Sequence, residues 1–398
     1  MGARRRLLLR LLRLVVCVQA AALVGTIAAA ARPPAMYVFG SSILDVGNNN
    51  HLPGAAVGRA NMPYNGIDFP GSIPTGRFSN GYNIADYVGK YFLTMCSWAV
   101  PHPESVCAAA KNMGFACSPP AYLSLASSGD LTTTALSSGI SYASGGAGIL
   151  DSTNAGNTIP LSKQVEYFGA TKAKMVAAVG LRAASAQLSR SIFLVGIGNN
   201  DMFVSAMAAR AQNRSAADRT NAAALYVNLI ANYSATVEEL YSMGARKFAL
   251  VNVGLLGCTP AARVLGPAGP ACWEDLNRLA AGFNGALRPR LAGLAPRLPG
   301  LVYSLADSFG FTRDVLADPR ASGYADDVAG ACCGSGRLAA EAACSPNATT
   351  LCADRDRLVY WDVVHLTQRT ASLVARAFYD GPAKYTTPIN FMQLARSS

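Results

Sequence analysis

The chain has 398 residues, of which 51% are hydrophobic and 14% charged, so it is neither a disordered nor a coiled-coil chain, and it is long enough for one large buried core or two small ones. The formal charge of +11 hints at nucleic acid, but five of those charges are Arg4, Arg5, Arg6, Arg10 and Arg13, in an opening stretch that carries no acid. No basic run follows, so the remaining charge reads as a solvated surface and no nucleic-acid partner is expected.

Residues 1–31 read as a secretory signal: an arginine cluster, then "LVVCVQAAALVG", then a run of small residues that suits cleavage near Ala30 or Ala31. The apolar part is too short for a membrane anchor, and no later segment has 18 uninterrupted apolar residues, so no membrane span is expected after cleavage. The mature part, residues 32–398, is expected to be a single extracellular domain. Its first apolar run, "MYVF" at 36–39, drives straight into Gly40-Ser41-Ser42 and a polar patch ending in three asparagines. Further runs with the look of doubly buried strands are "ISYAS" (140–144), "SIFLVGIG" (191–198), "KFALVNV" (247–253) and "LVYSLA" (301–306). Helical patterns cover 215–243, 274–295 and 365–381. Strand and helix in alternation indicate a layered α/β fold around a parallel sheet.

Secretion gives meaning to other features. Three Asn-x-Ser/Thr sequons start at Asn213, Asn232 and Asn347. Ten cysteines suit an oxidising compartment; Cys17 leaves with the signal, so nine remain and at least one thiol is unpaired. Cys332, Cys333, Cys344 and Cys352 cluster, and Cys258 and Cys272 bracket a Gly/Pro-rich loop. No histidine lies among them and no paired C-x-x-C spacing occurs, which argues against zinc.

Ligands of open α/β sheets bind beyond the carboxyl ends of the strands. Three of the runs end there in suggestive turns: Gly40-Ser41-Ser42, Gly145-Gly146-Ala147-Gly148 and Asn199-Asn200-Asp201. A serine nucleophile needs a base, and the base needs an orienting acid. The chain has three histidines. His51 follows the serines in a polar loop, and His102 lies in the irregular stretch "CSWAVPHPESVC". His365 has Asp362 three residues before it, where a helical turn or tight loop keeps the two side chains together. An oxyanion needs preorganised N–H donors, each worth about 100- to 1,000-fold in rate. Candidates are the backbone N–H of Gly145, the side-chain amide of Asn200 and the backbone N–H of Ser42. Taken singly, each feature reads better as an ordinary turn, cap or surface pair; together, each after a fitting element, they point to acyl transfer.

Together with "VFGSSILDVGNNN", the stretches "PTGRFSNG" (74–81), "SPPAYLSL" (118–125), "YASGGAGILD" (142–151), "GIGNND" (196–201), "NVGLLGCTP" (252–260) and "YWDVVH" (360–365) carry a specific resemblance. The chain resembles the plant GDSL esterase/lipases of the SGNH hydrolase superfamily over almost all of its mature length. The resemblance implies a three-layer α/β/α sandwich with a parallel, flavodoxin-like sheet. It also implies Ser42 as nucleophile, His365 as base, Asp362 as acid and Ser42, Gly145 and Asn200 as oxyanion donors. It calls for no metal or cofactor, and for a small-molecule or polymer-linked carboxylic ester as substrate: lipid, cutin-type, acetyl-polysaccharide or phenolic. The chain departs from the family pattern at three places. Ser41 stands where the family has Asp, and Leu366 where proline commonly follows the histidine. Residues 89–109 interrupt the pattern with no steady period, and are expected to be an insertion or a gene-model artefact outside the core, or a lid closed by a Cys96–Cys107 disulfide. The rival to an ester hydrolase is a secreted glycoprotein that keeps the fold, binds a wall or lipid ligand and has lost catalysis, with Ser41 as the sign.

Overall fold

A computed structural model describes residues 33–93, 118–267, 269–346 and 350–397. Four short strands form the parallel part of the central sheet: β1 (Met36–Gly40), β2 (Ile192–Gly196), β3 (Lys247–Val251) and β4 (Val302–Ala306). They lie side by side in that order, in register, so that Gly40, Gly196, Val251 and Ala306 end the strands in one row. Two small antiparallel strands, β5 (Cys333–Gly334) and β6 (Thr350–Leu351), pair with each other. β7 (Thr386–Thr387) closes the far edge antiparallel to β4.

Side chains alternate along each strand, and both faces are covered. One face presents Tyr37, Phe39, Phe193, Val195, Phe248 and Leu250 to a cluster shared with helices α2 (Leu161–Val179), α4 (Arg219–Ser242) and α5 (Glu274–Leu294). The other presents Met36, Val38, Ile192, Leu194, Ala249 and Val251 to α1 (Ile84–Leu93), α6 (Gln368–Tyr379) and α7 (Phe391–Arg396). The remaining long helix, α3 (Asn199–Ala211), follows β2 directly. The expected α/β/α layering is present, and the helix expectations at 215–243, 274–295 and 365–381 correspond to α4, α5 and α6.

The strand expected at 140–144 is not a regular one. This segment runs beside β1 on the side away from β2, but pairs with it through a single parallel bridge, Val38 with Ser141. Val38 N–H bonds to Ile140 O and Tyr142 N–H to Val38 O, each as in a ladder. The next rung is only half made: Ser144 N–H bonds to Gly40 O at 3.0 Å, but the Gly40 N–H goes to Gln164 Oε1 at 2.8 Å and not to Tyr142 O. On the side of the segment away from β1, Asn48 Nδ2 takes the Ser141 and Ala143 carbonyls at 2.9 Å each. Counting this segment, the order around β1 matches the flavodoxin-like arrangement, in which the chain reverses direction across the sheet at β1.

The segment at 89–109 also needs correction at its start. Residues 89–93 are the last five of α1, and Phe92 is 3% exposed, packed against Tyr379 and Phe391. Tyr91 stacks on Tyr379 at 4.9 Å. These aromatics belong to the core, and periodicity was hard to see because α1 contributes so few residues past Val88. Residues 94–109, with Cys96, Cys107 and His102, lie outside the described residues, as do the signal at 1–31 and Asn347.

Six cysteines pair as Cys258–Cys272, Cys332–Cys352 and Cys333–Cys344. The last two enclose the buried Trp361, whose indole Nε1 donates to Asn65 Oδ1 at 2.9 Å.

Phe92→Ala is expected to lower the unfolding free energy by about 3–5 kcal/mol, the cost of emptying a filled aromatic site. Denaturant unfolding of the purified variant checks this, and a change under 1 kcal/mol would return Phe92 to a dispensable insertion.

Candidate active site

β1 carries Ser42 to the rim of the sheet. Its last residue, Gly40, packs so closely on β2 that a Cβ would lie 2.3 Å from Gly196 O, so only glycine fits. Ser41 N–H then bonds to Gly196 O, and Leu44 and Asp45 N–H return to Ser41 O, closing a tight turn. That turn lifts the Ser42 side chain into a half-buried position at the switch point of the sheet.

The D-x-x-H stretch is a loop and not the start of α6, which Thr367 caps by accepting the Thr370 N–H. Asp362 Oδ1 accepts the N–H groups of Val364 at 3.0 Å and His365 at 2.8 Å, folding four residues into a tight turn. The same carboxylate lies 2.7 and 2.8 Å from His365 Nδ1. On the opposite side of the ring, His365 Nε2 lies 2.8 Å from Ser42 Oγ. Burial would raise the Asp362 carboxyl, but the imidazole beside it and the two backbone N–H groups hold it below the ordinary carboxylate range. Phe78 lies against the imidazole, with ring centroids 4.8 Å apart. The structure thus brings Ser42, His365 and Asp362 together, and leaves His51 exposed on its loop.

The three expected oxyanion donors differ in availability. Ser42 N–H has no acceptor among the described residues. Asn200 Nδ2 donates one hydrogen to Ala147 O at 2.9 Å, which leaves its second free. Gly145 N–H is already bonded to Asp45 Oδ2 at 2.9 Å, and a backbone amide has only one hydrogen. The expectation for Gly145 therefore meets a competing carboxylate from three residues beyond Ser42.

That carboxylate, fully buried, was missed in the sequence. Burial pushes Asp45 up to about 6, against the lowering effect of the N–H groups it accepts from Gly47, Gly145, Asn48 and Asn49. The signal was present, since an acid in "SSILDVGNNN" so near a buried strand must find donors. Asp201, next to Asn200, likewise ties a loop by accepting Ile149 N–H, Leu150 N–H and the Thr153 hydroxyl.

The GDSL-like lipase/acylhydrolase family profile matches residues 36–378. The chain belongs to that family. It is 34% identical over 368 residues to the Arabidopsis thaliana GDSL esterase/lipase At5g55050, covering 91% of this chain and 89% of that one. It is similarly 34% identical over 375 residues to At5g08460 and 33% over 374 residues to At1g29670, both GDSL esterase/lipases of the same plant, with 91% and 92% of this chain covered and 88% and 93% of theirs. This GDSL chain is accordingly a carboxylic ester hydrolase. A small depression lies beside its histidine, lined by Ile43, Phe78, Asn83, Ile84, Leu366 and Ala371. Leu366, which replaces the usual proline, is thus part of its wall.

Ser41, which replaces the usual Asp of the family, is 1% exposed, and its hydroxyl has no hydrogen-bond partner among the described residues. Ser41→Ala is expected to raise the unfolding free energy by about 1 kcal/mol, because it removes a buried unpaired hydroxyl. Activity should stay within about twofold of the parent, a change worth well under 1 kcal/mol. Parallel unfolding and ester-hydrolysis assays check both; a large loss of turnover would give the Ser41 hydroxyl a catalytic role.

Proposed function

We propose that this chain hydrolyses carboxylic esters through a Ser42 acyl-enzyme, outside the cell. The observation that carries the mechanism is the unbroken hydrogen-bond chain from Ser42 Oγ to His365 Nε2, and from His365 Nδ1 to Asp362. His365 takes the Ser42 proton as Oγ attacks the ester carbonyl. Asp362 holds the ring in the tautomer that leaves Nε2 free to accept. The oxyanion that forms is held by the Ser42 N–H and the second hydrogen of Asn200 Nδ2. His365 then gives its proton to the departing alcohol. Water, deprotonated by the same nitrogen, attacks the acyl-enzyme, and the acid leaves as Ser42 regains its proton.

Export is supported by the composition of residues 1–31 and by the three disulfides, which persist in oxidising compartments. Asn213 and Asn232, the asparagines of two sequons, are exposed, as glycan attachment requires. Among the described residues no helix is long and apolar enough to cross a membrane. The wall ester, lipid ester and phenolic ester classes all present the same reacting group to this site, and loops set the choice among them.

Ser42→Ala is expected to lose on the order of 10⁴-fold or more in kcat and to abolish labelling by a fluorophosphonate probe. Asp362→Asn should lose about 10⁴-fold, since an amide favours the wrong tautomer. Both are read on p-nitrophenyl esters of graded chain length. A labelled and fully active Ser42→Ala would remove the proposal. Asp362 also leaves a pH signature in stability. Its folded carboxyl lies below the ordinary value, so its stabilising contribution is present above an ordinary pKa of about 3.9 and is lost as pH falls through the lowered value. The stability gap between parent and Asp362→Asn, measured by thermal unfolding, should therefore narrow on acidification.

A further inference from the structure

Asp45, beside the Ser42 turn, is a buried carboxylate that the acyl-transfer steps leave unused. Its two oxygens face different loops. Oδ1 accepts Gly47 N–H and Asn48 N–H, each at 2.8 Å, and Oδ2 accepts Gly145 N–H at 2.9 Å. It therefore ties the loop after Ser42 to the glycine turn that flanks the site.

The orientation of that turn follows from its peptide planes. Ala147 N–H bonds to Ser144 O at 3.1 Å and Gly146 has φ of +82°, which is a type II turn with glycine where positive φ is required. The Gly145 carbonyl accepts from Asn49 Nδ2 at 2.9 Å. A trans peptide puts its C=O and N–H on opposite sides, so the Gly146 N–H of the same peptide points away from Asn49. Gly146 is half-buried while Gly145 is buried, and the Gly146 N–H has no acceptor among the described residues. The turn also borders the site: a Cβ on Gly145 would strike the Phe78 ring at 2.6 Å, and Phe78 lies on His365. Asn200 bonds to Ala147 at the end of the same turn.

We propose that Asp45 is a positioning residue for oxyanion stabilisation: by holding the Gly145 N–H it sets the turn so that Gly146, and not Gly145, presents the turn's hydrogen to the oxyanion. This rests on the acyl-enzyme reading above. Asp45 touches no reacting atom and acts through the turn. The direct competition at Gly145 is what separates this assignment from the one expected from the sequence.

Asp45→Asn tests it selectively. An amide has one acceptor oxygen, which can serve Gly47 and Asn48 or Gly145 but not both sides, and its nitrogen then opposes an N–H on the side left over. With the oxygen kept on its own loop, the glycine turn loses its anchor. The expected result is a folded protein whose kcat falls about 100-fold, the scale of one oxyanion donor. KM should stay within about threefold, the pattern of an interaction made only in the transition state. Affinity for phenylboronic acid, which forms a tetrahedral adduct on an activated serine, should fall in parallel with kcat. A purely structural clamp would lower the melting temperature and leave these ratios alone. A folded Asp45→Asn with parental kcat and boronate affinity overturns the proposal. If that variant does not fold, Asn49→Ser releases the Gly145 carbonyl, which shares its peptide with the Gly146 N–H, and a folded Asn49→Ser with unaltered kcat overturns it equally. Ser42→Ala separates the two levels: an active Ser42→Ala removes the acyl-enzyme reading, whereas an inactive one beside an unaffected Asp45→Asn removes only the role of Asp45.

Discussion

The hydrogen bond between Ser42 Oγ and His365 Nε2 joins residues 323 apart in sequence, and much of the molecule serves to keep it at 2.8 Å. Neither partner sits on a regular element. Ser42 stands two residues beyond β1, inside the turn that follows it, and His365 stands three residues before α6. Each is therefore held by what surrounds its loop. On the histidine side, Cys332 N–H bonds to Tyr360 O and Cys333 N–H to Trp361 O, while Trp361 N–H returns to His365 O. Ala261 N–H bonds to Val363 O from yet another segment. The Cys332–Cys352 and Cys333–Cys344 bonds close loops of 20 and 11 residues around this framework. A disulfide of that loop size contributes about 2–4 kcal/mol by limiting the unfolded chain. The cross-links thus brace the segment that leads into His365.

The serine side is held by a different device. Loops that converge at a sheet edge leave backbone groups with no ladder partner, and buried groups of that kind must be satisfied. Asn48 serves the Ser141 and Ala143 carbonyls and the Leu123 N–H, and Asn49 serves the Gly58 and Gly145 carbonyls. Gln164, on α2, takes both the N–H and the carbonyl of Gly40. Each amide stands in for a strand that is missing. The dense asparagine patch after Ser42 is accordingly a scaffold, in which the Asn48 and Asn49 side chains are buried.

The two devices differ in what they tolerate. A disulfide-bounded apolar cluster around Trp361 is insensitive to the direction of any one hydrogen bond. The amide network is directional throughout, so that a single misplaced donor or acceptor moves a peptide plane. That places the directional part of this framework on the Asp45 and asparagine side, beside Ser42, and its cross-linked part on the side that carries His365.

Much of this was legible in the sequence. The apolar runs at 36–39, 191–198, 247–253 and 301–306 became β1 to β4, because a strand buried on both faces must be apolar at every position. Ser42, Asp362 and His365, which the fold brings within hydrogen-bond reach of one another, could be picked out because acyl transfer would need a hydroxyl, an imidazole and a carboxylate, and few histidines were available to choose from. Asn200 followed in the same way from its place after β2. What the tertiary structure decided were choices among equivalent partners. The Gly40 N–H could have bonded to the Tyr142 carbonyl and extended a strand at 140–144, and it bonds instead to Gln164, 124 residues away. Gly145 N–H could have faced the substrate, and it faces Asp45, 100 residues away. Phe92 could have lain on a surface insertion, and it is covered by Tyr379 and Phe391 from the last helices of the chain. Composition and spacing report whether a residue can be buried or can react; which of several compatible donors, acceptors or rings it meets depends on distances that exist only once the layers have closed.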